Sequence, residues 1–264
     1  MNGNSEVINL FWTGGWDSTF RLLQLVLAQN RTVQPYYLID PNRQSLRNEI
    51  SARRNIKDRL FTEYPHTQEL ILPNIFYDVG DITPNEQVTA AYRFMRATKD
   101  VDFQYLWLSL YCHQFDIQNM ELCVEKRSGV VFAPKKLVFG SFLVPVEGSR
   151  EERMDEAFLS TEVDTLFGCF RFPVRGYTKQ DMEAEAQVGG WADYLYMTWF
   201  CHNPVRGIYP CGTCEPCVLA ARKGYGRRIP WQRRLYAKLG LEKSRQRVAN
   251  IARKINPHFH QWKR

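Results

Sequence analysis

Apolar positions along the chain switch between two periods. Short β-prone runs at 7–12, 33–39, 67–72, 120–124 and 168–174 read as buried strands. Between them, at 18–29, 45–60, 87–98, 101–116 and 178–188, apolar residues recur at helical spacing. Strands alternating with helices predict an α/β fold: a parallel sheet with helices on both faces. Residues 126–168 interrupt the alternation. They read as a strand or hairpin over Val130 to Phe142, then an acidic stretch with Glu147, Glu151, Glu152, Asp155 and Glu156. This segment is expected to be an insertion.

The first strand–helix junction is the most specific. Val7 to Trp12 leads into Thr13-Gly14-Gly15-Trp16-Asp17-Ser18-Thr19, and Phe20, Leu23, Val26 and Leu27 then mark one helical face. Two glycines let the backbone approach a ligand with no Cβ in the way. The helix points its N-terminal N–H groups and positive dipole end at the turn, and Thr13, Ser18 and Thr19 add hydroxyls. An anion, most naturally a phosphate, is the expected occupant. The turn is neither a Walker loop nor a Gly-x-Gly-x-x-Gly dinucleotide loop.

A second constellation lies near the other end. Cys201, Cys211, Cys214 and Cys217 combine a Cys-x-x-Cys-x-x-Cys run with an upstream thiol. That set suits a tetrahedral thiolate cage for zinc, with an iron–sulfur cluster as the rival and His202 as an alternative ligand. A closed four-sulfur site has no open position for substrate, so its role is structural. Gly212 and Pro216 suit the tight turns of a metal knuckle. Cys112, Cys123 and Cys169 read as small buried apolar residues.

The glycine turn resembles the Ser-Gly-Gly-x-Asp-Ser signature of the PP-loop ATP pyrophosphatases, with Thr13 in place of the first serine. Taken with the C-terminal Cys-Gly-x-Cys-x-x-Cys, it resembles the 7-cyano-7-deazaguanine synthases. Asp40 with Gln44, Arg47 and Glu49, and the stretch Phe172 to Met182 around Thr178-Lys179, extend the likeness over about residues 6–220. The resemblance implies a Rossmann-like fold of the adenine nucleotide alpha hydrolase kind. It also implies a ligase that adenylates the carboxylate of 7-carboxy-7-deazaguanine, releasing pyrophosphate, and passes it to ammonia to give the amide and then the nitrile. By resemblance Thr13, Gly14, Gly15, Asp17, Ser18 and Thr19 hold ATP, with Asp17 acting through Mg2+. Asp40 meets the ribose, and Lys179 neutralises charge on the α-phosphate. Asp17, Ser18 and Lys179 are the catalytic candidates, Cys201, Cys211, Cys214 and Cys217 the zinc ligands, and Glu125 a further lining residue of the crevice at the strands' carboxyl ends.

The chain also departs from that family. Pro41-Asn42-Arg43-Gln44-Ser45 stands where the nitrile-forming enzymes carry an aromatic-Gly-Gln-Arg-His stretch, and Lys99-Asp100 is the sole counterpart of an Arg-Asn pair. Divergent relatives in bacterial antiviral operons join the activated deazaguanine to a protein amine instead. A tRNA-modifying PP-loop enzyme is a further alternative.

Composition adds two points. Aromatics make up 14 %, and Tyr105, Trp107 and Tyr111 cluster on one helix as core or subunit contacts. Net charge is +7, but residues 222–264 hold fourteen Lys or Arg against the single Glu242, a local +13 that leaves −6 on the remainder. Leu235, Leu239, Val248, Ile251 and Ile255 give this stretch helical apolar positions. The expected organisation is a nucleotide-binding α/β domain at 1–200, a four-cysteine knuckle at 201–221 and a basic helical tail at 222–264. The tail favours packing on the chain's own acidic insertion or an acidic protein partner over nucleic acid. A homodimer fits the resemblance. The sequence shows neither an apolar run of membrane-spanning length nor a secretory leader, which points to the cytoplasm.

Overall fold

A computed structural model describes residues 6–99, 101–126 and 138–239. The expected strand or hairpin over Val130 to Phe142 lies largely outside the described residues, as does the basic tail beyond residue 239. The described residues gather into two compact units, one drawn from Met1–Asn42 and Glu49–Trp199, the other from Arg43–Asn48 and Phe200–Arg264.

The chain runs through β1 (Ile8–Phe11), α1 (Trp16–Leu23), β2 (Val33–Ile39), α2 (Leu46–Glu63), α3 (Thr67–Leu70) and β3 (Ile75–Asp78). There follow α4 (Glu86–Thr98), α5 (Gln104–Gln114), β4 (Met120–Glu121), β5 (Leu143–Pro145) and β6 (Glu152–Met154). The first unit ends with α6 (Glu162–Phe167), β7 (Phe170–Arg171), α7 (Lys179–Val188) and α8 (Ala192–Tyr196). The second carries α9 (Glu215–Arg222) and α10 (Trp231–Lys238).

Five strands form one parallel sheet in the order β3-β2-β1-β4-β7, flanked by helices. β1 is central: Leu10 is paired with Pro35 on one side and with Glu121 on the other. The α/β class with a parallel sheet is therefore as the alternating periods predict. β5 and β6 pair antiparallel outside that sheet, inside the stretch read as an insertion, and Glu152 bridges to Phe172.

One expected strand is absent. Residues 67–70 form the helical turn α3, because the Thr67 hydroxyl and amide both donate to the Tyr64 carbonyl, at 2.7 and 2.9 Å, and turn the chain. Only Ile71 bridges to Val33, and the strand itself forms later, at β3.

The core explains the aromatic content. Phe11, Tyr36, Tyr111 and Phe170 touch across the sheet at ring separations of 6.1–6.3 Å. A second group, Phe139, Phe142, Phe167 and Phe172, ties the insertion to the sheet, with Phe142 stacked on Phe167 at 5.0 Å. Each such ring removed from water contributes roughly 2–3 kcal/mol. Among the described residues no helix is long and apolar enough to cross a membrane.

Candidate functional site

Each unit holds one candidate site. In the first, three chain segments leave the carboxyl ends of β1, β4 and β7 and converge. That edge of an open parallel sheet is where ligands characteristically bind. β1 passes through Trp12 into the turn Thr13-Gly14-Gly15. Gly14 has φ +74°, and a Cβ there would lie 2.8 Å from Arg53 Cγ and 2.9 Å from the Glu49 carbonyl, so the position admits only glycine without strain. The Trp199 amide donates to the Gly14 carbonyl at 2.9 Å and fixes the turn from the other side.

Gly15 is the N-cap of α1 and, as a glycine, supplies no side-chain cap to its first turn. The hydroxyls hold the turn only loosely. Thr13 N–H donates to Ser18 Oγ, Gly15 N–H donates to Thr13 Oγ1, and the two hydroxyl oxygens face each other, each contact at 3.3 Å. Such lengths are at the weak end for hydrogen bonds. An incoming anion can take over these donors at little cost.

Asp17, on the first turn of α1, receives a hydrogen bond from Lys179 Nζ at the start of α7. Glu125, four residues past β4, places Oε1 3.9 Å from the same ammonium. Sequence-based reasoning named all three, and the fold brings them together. Lys179 is held in place by a capping box: the Asp181 amide donates to Thr178 Oγ1 at 3.2 Å and the Thr178 amide donates to Asp181 Oδ2 at 2.9 Å.

The other two named residues sit differently. Thr19 is fully buried, and its hydroxyl accepts from Trp12 Nε1 at 3.0 Å, so it braces the strand–helix junction. Asp40 lies just past β2, where Oδ1 accepts from the Asn42 amide at 2.9 Å, an Asx turn that leaves Oδ2 for other partners.

Beneath these groups lies a polar network that the sequence pattern did not reveal. Buried Arg21 donates to both oxygens of buried Glu121, from Nε at 2.8 Å and Nη2 at 2.6 Å, and from Nη1 to Gln24 Oε1 at 2.6 Å. Burial works against the Arg21 charge, but the Glu121 contacts outweigh it and its pKa is raised. Gln24 opens the single π turn, Gln24–Ala28, that continues α1, and its Nε2 donates to Glu185 at 2.8 Å and to the Tyr177 hydroxyl at 3.2 Å. The network locks α1 against β4 and α7, the three elements that deliver Asp17, Glu125 and Lys179. Cys123 belongs to the same neighbourhood. Burial, then the charge of Glu121, push its thiol well up, so it stays protonated.

In the second unit the four cysteines converge. Their sulfurs all lie within 4.8 Å of one another, and this group can hold a metal ion. Cys211 and Cys217 sulfurs are 3.9 Å apart, and Cys201 and Cys214 sulfurs 3.8 Å apart. A metal–sulfur bond of about 2.3 Å in a tetrahedron gives an edge of about 3.8 Å, so the spacing suits one tetrahedral ion and is compatible with zinc. Backbone amides point at the sulfurs: Cys211 N–H to Cys201 Sγ at 3.1 Å, and Thr213 and Cys214 N–H to Cys211 Sγ at 3.4 and 3.2 Å. Such donors disperse thiolate charge.

His202, the alternative ligand, is exposed and outside the group. Gly212 provides the turn at φ +82°, where a Cβ would strike the Arg233 carbonyl at 2.7 Å. Arg233 Nε in turn donates to the Cys211 carbonyl at 2.9 Å and ties α10 to the knuckle. Thiol protons donated by Cys201 and then Cys217 hold Cys214 well down as the thiolate, while Cys201 is pushed up to about 12, chiefly by its bond to Cys214. A bound cation would draw the remaining protons off.

Comparison with known proteins returns no match among family models, curated proteins or solved structures.

Proposed function

We propose that the protein is an ATP-dependent, AMP-forming C–N ligase with a Rossmann-like nucleotide-binding unit. It adenylates the carboxylate of 7-carboxy-7-deazaguanine and transfers the acyl group to an amine. The observation that carries this reading is the convergence of Asp17, Glu125 and Lys179 beside the Thr13–Ser18 turn, at the carboxyl ends of three neighbouring parallel strands. The turn and the uncapped start of α1 supply donors for the pyrophosphate end of ATP. Asp17 and Glu125 are hard oxygen donors of the kind Mg2+ takes, and Lys179 sits where it can shift from Asp17 to the α-phosphate as negative charge builds there. A substrate carboxylate oxygen attacks the α-phosphorus and pyrophosphate leaves. The amine nitrogen then attacks the acyl carbon, AMP leaves with the bonding pair, and the nitrogen gives up a proton. Zinc in the four-cysteine group is structural, because four protein sulfurs complete its coordination.

The acceptor is ammonia, giving the amide and then the nitrile, or a protein amine, as in the antiviral-operon enzymes. The segment after β2, Pro41-Asn42-Arg43-Gln44-Ser45, differs from that of the nitrile-forming enzymes and keeps the second acceptor in play.

The deciding experiment incubates the protein with ATP, Mg2+ and the deazaguanine acid, with and without ammonium, and follows products by mass spectrometry. AMP with nitrile identifies ammonia as acceptor. AMP or a trapped acyl-adenylate without nitrile identifies a ligase awaiting another amine. Absence of AMP under both conditions refutes the ligase reading.

A further inference from the structure

Arg53 is 3 % exposed, on the buried stripe of α2 that also carries Glu49, Ala52, Ile56 and Leu60. Its guanidinium carbon lies 4.9 Å from the centre of the Trp12 ring, 4.7 Å from Tyr37 and 4.9 Å from Phe76. Nη2 donates to Asn74 Oδ1 at 2.9 Å, whereas buried Nε and Nη1 have no hydrogen-bond acceptor. Burial lowers its pKa to about 10, with the neighbouring Tyr37 and Glu49 pulling the other way, so the group is a cation at neutral pH. Three ring faces, at about 1–2 kcal/mol each, together with Asn74 and the neighbouring Glu49 carboxylate, offset the desolvated charge while Nε and Nη1 stay without acceptors. A chain that needed only packing here would do better with an apolar residue.

The location suggests what the charge does. Trp12 leads directly into the glycine turn, and the Arg53 stem fills the space that a Gly14 side chain would take. The turn's own hydroxyl contacts are long, so its amides are available to an anion. A cation under the turn, screened from water by aromatic rings, acts on that anion through a medium of low dielectric.

We propose that Arg53 is a positioning residue for the phosphate site: a caged cation that supports the Thr13–Gly15 turn from below and raises its affinity for the pyrophosphate end of a nucleotide without touching it. This rests on the reading of the turn as an ATP site.

The test uses magnesium pyrophosphate as probe, measured by calorimetry on the full chain at low ionic strength, with urea unfolding and the KM and kcat for ATP in parallel. Arg53→Met keeps the stem and removes the charge. It is expected to bind pyrophosphate about tenfold more weakly and to raise KM for ATP, with kcat within about twofold of wild type. Asn74→Asp leaves Arg53 in place but sets a carboxylate against Nη2. It is expected to raise resistance to urea and yet weaken pyrophosphate binding several-fold, a combination that packing alone does not produce. Asn74→Asp alone decides the matter if Arg53→Met does not fold. Unchanged pyrophosphate affinity in folded Asn74→Asp overturns the assignment of Arg53. Wild-type protein that binds neither pyrophosphate nor ATP overturns the nucleotide reading itself, and this inference with it.

Discussion

Lys179 and Asp17 stand 162 positions apart in the chain and share a hydrogen bond, which closes the carboxyl edge of the sheet between the start of α7 and the start of α1. Glu125 Oε1 lies 3.9 Å from the same ammonium, so one amine meets two carboxylates. An arrangement of this kind is poised for exchange. Each carboxylate can trade the ammonium for a metal ion, and the ammonium can trade a carboxylate for a phosphate.

Asp17→Ala and Lys179→Ala are accordingly expected to lower AMP formation by roughly two to three orders of magnitude. Both groups are partly exposed, so urea midpoints are expected to stay near wild type. AMP release from either variant at the wild-type rate would remove that residue from the site.

Gly14→Ala tests the turn itself. The left-handed backbone and a Cβ 2.8 Å from Arg53 Cγ predict a loss of about 1–3 kcal/mol in urea unfolding, with loss of nucleotide binding. A variant that unfolds like wild type would show that the turn relaxes freely.

Removing one partner of the buried Arg21–Glu121 pair strands the other charge. Arg21→Met and Glu121→Leu are each expected to cost about 3–5 kcal/mol, and the two together to recover much of that loss. Urea unfolding of the two single variants and the double variant measures the coupling.

The α7 cap gives a pH dependence. The Thr178 amide, then its hydroxyl, then Arg150, hold the Asp181 carboxyl below its ordinary value. Its stabilisation is full above about pH 4 and is lost as pH falls through the lower folded-state value. Asp181→Asn is therefore expected to be less stable than wild type near neutrality and to converge with it in acid. Thr178→Ala is expected to cost about 1 kcal/mol and to slow AMP formation by loosening Lys179.

Purified protein is expected to carry about one zinc per chain by elemental analysis, and Cys211→Ser to lose it together with cooperative folding of its unit. Full zinc occupancy in Cys211→Ser would exclude that sulfur as a ligand.

The parts of this structure that were legible in the sequence are those fixed by local chemistry. The Thr13–Ser18 turn and the cysteine spacing each depend on neighbours within a few positions. What escaped depends on distant partners. Arg53 falls at a helical interval of four from Glu49, on the same face as Ala52, Ile56 and Leu60, and that periodicity was the available signal. Nothing local says that Trp12, Tyr37 and Phe76 would surround it. Arg21 and Glu121, a hundred positions apart, likewise carry no local sign that they pair. The strand expected at 67–72 failed because β-prone composition did not register the Thr67 side chain bonding back to Tyr64.

Four thiolates around a divalent ion leave about two negative charges at the centre of the second unit. Seven arginines and lysines lie between residues 222 and 239, and Arg233 already reaches the Cys211 backbone. With an ion bound by the four cysteines, part of the basic character of this region would serve as counter-charge for that centre. Its pull on outside polyanions should depend on metal content: stripped of the ion and kept reduced at neutral pH, the thiols reprotonate, the internal anion shrinks, and the same arginines present a stronger positive field to the solution.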